Sequence, residues 1–207
     1  MVGVDARLSN WMFLVPAVDR PLVLPIAEER PQGAVVPASR SGEALREALA
    51  GGPYGGVAAP ALARWRAATG GDSAILLERL AQSVAEDGWL YVGFPNAWYP
   101  PHAGRGGSLS AARVGEILRK AGFGSSTVYL AFPHERTPAY LIAEDDPAAL
   151  RYFLERLSFP YVESGDRWKA RAKQLVLSGA RRAALMAPAG IRSRFAPGLA
   201  VVARRPS

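Results

Sequence analysis

The stretch Pro21–Ser39, PLVLPIAEERPQGAVVPAS, decides how this chain is read. Its two apolar runs, Leu22–Ala27 and Ala34–Ala38, each have the length and composition of a buried strand. Only Glu28, Glu29, Arg30, Pro31, Gln32 and Gly33 lie between them. Two parallel neighbours in one sheet need a crossover of about a dozen residues or more. Six residues do not supply it, so the spacing predicts either an antiparallel hairpin around ERPQG or a run that leaves the sheet.

Working outward, strands and helices alternate. GEALREALA (Gly42–Ala50) predicts a helix capped by Ser41, with Leu45 and Leu49 on one face and Gly51–Gly52 at its end. GGVAAP (Gly55–Pro60) reads as a short buried strand, and the glycine-rich GGPYGG before it as a turn rather than a phosphate cradle. SAILLERLAQSVAED (Ser73–Asp87) is the clearest helix, its stripe formed by Leu76, Leu77, Leu80 and Val84. WLYVGFPN (Trp89–Asn96) is nearly all apolar, as a strand buried on both faces is. After the loop AWYPPHAGRGG comes a helix opening at Ser110 and stopping at Gly122, then a strand, TVYLAFP. PAYLIAE is a further strand or a lead-in, and PAALRYFLERLS, with Pro147 at its start, a helix. A basic helix over roughly Asp166–Ala187 and a closing strand, GLAVVARRP, complete the chain. The pattern predicts an α/β sheet with helices on both faces.

From Ser73 onward the chain resembles class I S-adenosylmethionine-dependent methyltransferases of the type 11-like kind. LLERLAQSVAEDGWLYVGFPN is similar to that family's helix and following strand, LRKAGF (Leu118–Phe123) to its L-x-x-A-G-F helix end, and VYLAFP and LAVVARRP to its last two, antiparallel strands. The resemblance covers roughly residues 20–133 and 198–206. It implies a Rossmann-like sheet, mostly parallel with an antiparallel last strand, a truncated N-terminal part, and a helical insertion before the last strand. The upstream half departs from the family. PLVLPIAE lacks the glycine-rich turn after the first strand, and Ser39 and Arg40 stand where an acid would bind the ribose.

These readings lead to an expected single methyltransferase-like domain, 1–207, with a basic helical lid at 145–197. The missing turn predicts a degenerate cofactor half with no cofactor bound. The protein is then a non-catalytic auxiliary subunit of an active methyltransferase or another biosynthetic enzyme, in a natural-product or sugar pathway. The alternative is an active small-molecule methyltransferase holding S-adenosylmethionine unconventionally, with His102 and His134 as catalytic bases. Asn96, Trp98, Tyr99, Arg105, Glu135 and Arg136 are the candidate rim for substrate or partner, because ligands of open α/β sheets bind at the C-terminal ends of the strands. No metal site is expected. The expected partner is another protein or a second copy, and a small ligand is compatible.

Bulk properties agree with a globular chain of 207 residues, with 49% hydrophobic residues and a mean hydropathy of +0.02. No apolar run approaches the roughly 20 residues that span a bilayer, and MVGVDARLSNWMFLVPAVDR makes a poor signal peptide, so the cytoplasm is expected. There is no cysteine, hence no disulfide and no thiolate nucleophile. P-loop, H-E-x-x-H and nucleophile-elbow motifs are absent. Residues 1–144 hold 13 basic and 13 acidic side chains, and residues 145–207 hold 12 and 5, so the net +7 belongs to the last third. Such a segment reads first as a solvated helix face. A membrane surface is a weaker reading, and nucleic acid is not expected because interleaved aromatics are lacking.

Overall fold

In the computed structural model the described residues are 6–26, 33–99, 107–157, 179, 182–183, 185–188 and 190–207. The expected basic helix lies almost wholly outside them, as do His102 and Arg105.

Strand β1, Leu22–Val23, is much shorter than its apolar run. Leu24 and Ile26 are buried beyond it without continuing the strand. The second run contributes one bridging residue, Val35, which pairs parallel with Leu22. Val23 N–H donates to Val35 O and Val35 N–H to Pro21 O, both at 2.9 Å. This corrects the expectation of a hairpin or a departing strand. Shortening both strands releases the chain from Leu24 to Ala34 as connection, which is enough for a minimal parallel crossover where six residues are not.

Helix α1, Gly42–Ala50, starts on the Ser41 hydroxyl, which accepts from Ala44 N–H at 3.1 Å. Such a cap is worth about 1 kcal/mol. Strand β2, Tyr54–Ala59, follows. Helix α2, Ser73–Gln82, is capped by Asp72, whose carboxylate accepts from Ala74 and Ile75 N–H. It is shorter than the apolar period suggests. Val84–Asp87 belongs to strand β3, Val84–Pro95, where the register with β2 shifts between Tyr54 and Gly56 and Asp87 turns to a φ of 59°. Val84 therefore keeps its burial while changing element.

Helix α3, Ala111–Lys120, is capped by Ser110 and carries the ion pairs Arg113–Glu116 and Lys120–Glu116, both at 2.8 Å. Strand β4, Ser125–Phe132, pairs antiparallel with β5, Tyr140–Ala143, so PAYLIAE does form a strand. Helix α4, Pro147–Tyr152, opens on Asp146 and runs into a π turn at Phe153–Leu157. Strand β6, Gly198–Arg204, enters between β3 and β4, antiparallel to both.

The sheet order is β1-β2-β3-β6-β4-β5, with Val35 flanking β1. Strands β1 to β4 run one way and β5 and β6 the other, so the sheet is mostly parallel with its last strand antiparallel, as expected. Alternation along β3 sends Leu90, Val92 and Phe94 to one core and Trp89 and Tyr91 to the other. The first core takes the buried side chains of all four α-helices. Among the described residues the second is covered by a 3-10 segment, Ala6–Leu14, and the chain after it. Helices on both faces, predicted by alternation, are thus not what the described residues form. Arg205 ties the far end together, donating to Val84 O and, at 2.6 Å, to Ala121 O.

Candidate functional site

Because β1, β2, β3 and β4 are codirectional, their C-terminal ends share one edge. The chain leaves β1 toward Val35 on one side and later returns to β2 on the other, so the sheet order reverses between β1 and β2. A crevice at such a switch point is where open α/β sheets bind ligands.

Three side chains converge on the end of β1. The Arg40 and Arg64 guanidinium groups both donate to Ile26 O, each at 2.8 Å. The Trp65 indole N–H donates to Pro25 O at 3.2 Å, and the residue is only 2% exposed. Arg40 lies 5.9 Å from the centre of that ring, within cation–π range. Trp65 and Arg64 come from a 3-10 segment, Leu62–Thr69, that begins directly after β2. Burial, and then the neighbouring charges of Arg40 and Arg136, hold the Arg64 pKa below its ordinary value.

The opposite side of the edge is built by close backbone approach. A Cβ on Gly198 would lie 2.4 Å from Glu135 N, and one on Gly93 would lie 2.2 Å from Pro60 O. Only glycine admits those contacts, and they press the loop after β4 onto β6 and the end of β2 onto β3. Glu135 is buried there, 3.5 Å from Arg136 Nε. Directly behind it, on the same face as Gly93, lies the fully buried Tyr91. Burial first, then the nearby Glu135 and Tyr129, pushes the Tyr91 phenol well above its usual pKa.

The expected rim residues are placed as follows. Asn96 is fully buried: its side-chain N–H groups donate to Ser193 O and Ala196 O at 2.7 Å each, and its Oδ1 accepts from Trp98 N–H at 3.0 Å. Those bonds fasten β3 to the chain entering β6. Trp98 is 58% exposed with Arg194 stacked 4.9 Å from its ring centre. Tyr99 N–H donates to Asn96 O at 3.2 Å, closing the same turn. His134 is exposed, and Thr137 N–H donates to its Nδ1 at 3.3 Å. With Nδ1 accepting, the proton of the neutral ring sits on Nε2. His134, Glu135 and Arg136 therefore share the loop after β4, and Asn96, Trp98 and Tyr99 share the turn after β3.

Arg64 and Trp65 were not singled out from sequence. Arg40 carries the one usable signal, a base standing where the resemblance expects an acid. Two surface clefts, of about 510 and 370 Å³, lie along α4 and between α1 and the Leu62–Thr69 segment. Among the described residues no helix is long and apolar enough to cross a membrane.

No family model matches the chain, and no curated protein matches it. Among solved structures it is similar to an S-adenosylmethionine-dependent methyltransferase from Thermotoga maritima described as a possible histamine N-methyltransferase. The identity is 12% and the TM-score 0.48, over 97% of this chain and 88% of that one. It is also similar to an S-adenosylmethionine-dependent methyltransferase from Archaeoglobus fulgidus, at 13% identity and a TM-score of 0.49, over 97% and 92%. The strand order itself carries the reading of the fold as methyltransferase-like and Rossmann-like.

The expectation that no cofactor binds is corrected: its physical basis was a dismantled switch point, and the parallel Val35–β1 pairing leaves that switch point in place. The fit to that donor is uneven. The switch point in the strand order suits it, whereas the position after Val35 that would hold an acid for the ribose holds Arg40.

Proposed function

We propose that this protein is an S-adenosylmethionine-dependent methyltransferase acting on a small molecule, with the donor in an unconventional site between the ends of β1 and β2. The observation that supports it is the parallel bridge between Leu22 and Val35, which keeps the sheet's switch point where a short link would have removed it. S-adenosylmethionine supplies the methyl group. The chain's own residues bind and orient: Leu24, Ile26 and Trp65 are buried about the end of β1 and give it a fixed apolar base. His134, exposed on the loop after β4, is the imidazole at that edge that takes the proton from substrate. Its Nδ1 accepts from Thr137 N–H, so accepting a proton there requires release of that contact.

Calorimetric titration of the full chain with S-adenosylmethionine tests this reading. Saturable binding in the micromolar range is expected. No binding at millimolar donor overturns it, and would favour the role of an auxiliary protein subunit. If donor binds, His134→Ala is expected to lower turnover by about 100-fold or more while leaving donor affinity within about twofold.

A further inference from the structure

We propose that Arg40 and Arg64, with Arg136 beside them, form a binding site for a phosphate monoester at the mouth of the β1–β2 crevice. The two guanidinium groups meet at a single neutral acceptor, Ile26 O. Each spends one N–H there, and among the described residues neither pairs with a carboxylate. Two like charges held at one oxygen repel; burial first, and then the charges of Arg40 and Arg136, lower the pKa of Arg64. Arg136 lies 3.5 Å from the buried carboxylate of Glu135. Among the described residues the Arg40–Arg64 pair therefore keeps positive charge and unspent donors at the end of β1.

The geometry selects phosphate over carboxylate. One planar fork satisfies a carboxylate, whereas two forks diverging from a shared carbonyl offer N–H groups from two directions. A phosphate monoester, with close to two negative charges and three terminal oxygens, meets both. The same substitution logic operates in dinucleotide sites, where an arginine near the acid's position accommodates an added phosphate. The cluster's members come from three separate parts of the chain: the segment after Val35, the segment after β2, and the loop after β4. Only the folded sheet assembles it.

The experiment uses the full chain without S-adenosylmethionine, so its outcome is independent of the donor reading. Glucose 6-phosphate, glucose and inorganic phosphate are titrated in turn at low salt. Saturable binding of glucose 6-phosphate without binding of glucose is expected. Inorganic phosphate binding equally well also supports the site and shows that it reads the phosphate alone. Tighter binding of the sugar phosphate shows that the crevice contributes as well. Arg40→Gln and Arg64→Gln are each expected to weaken binding about tenfold or more, with each melting temperature measured alongside. If either variant fails to fold, Arg40→Lys and Arg64→Lys keep the charge and remove the fork, and are expected to weaken binding by a smaller factor. Absence of phosphate-dependent binding below about 10 mM, or affinity unchanged in the folded variants, overturns the proposal.

Discussion

The two faces of the sheet are built by different means. One carries Leu90, Val92 and Phe94 from β3 and Leu199 and Val201 from β6, roofed by the apolar stripes of four helices. The other carries Trp89, Tyr91, Val23, Ala58 and Ala200, and Trp11 lies across it, 6.2 Å from Trp89 and 5.9 Å from Tyr91 between ring centres. Among the described residues no α-helix packs on that second face, and large aromatic rings fill it. Each buries roughly 150–250 Å² of surface, so three of them do the covering work of a helical turn or more.

Phe94→Ala should produce the largest effect, about 3–5 kcal/mol of lost stability, because the helices above it cannot collapse into the hole. Denaturant unfolding measures it. Trp11→Ala should cost less, about 2–3 kcal/mol, since its neighbours lie under a thinner cover and can relax. A cost equal to that of Phe94→Ala would show that the two faces are equally rigid and break the contrast. Alkaline titration comes next. The Tyr91 phenol has a raised pKa in the folded protein, so its contribution is intact below the ordinary tyrosine range near pH 10 and is lost as pH rises beyond it. Melting temperatures followed above pH 10 should fall, and Tyr91→Phe should flatten that fall. The smallest effect is expected from Trp89→Phe, within about 1 kcal/mol. It gives up ring area but removes a buried indole N–H that has no hydrogen-bond partner among the described residues.

Local signals were read well where one element decides them. Ser41 and Ser110 cap helices because their side chains accept N–H groups that the helix cannot satisfy, a property visible in the residues themselves. The α2–β3 boundary was misread because Val84 fits the helical stripe and an inward strand position alike. The parallel placement of Val35 was missed because apolar length suggests long strands, and only pairing reveals that two residues of β1 and one bridge suffice. The positions of Asn96, Trp98, Tyr99 and His134 just after strands were legible, because each follows an apolar run that does form a strand. Arg64 and Trp65 gave no such sign, since their meeting with Arg40 at Pro25 and Ile26 depends on chain far away in sequence.

Strand β6, which follows every other strand in the chain, occupies the middle of the sheet, with Asn96 clasping the segment that leads into it. During synthesis β3 and β4 emerge with bare edges and stay that way until Gly198–Arg204 clears the ribosome. Such open edges invite pairing with other nascent chains. Assembly of this protein thus hinges on a late arrival, and the cell must keep its unfinished halves apart until then.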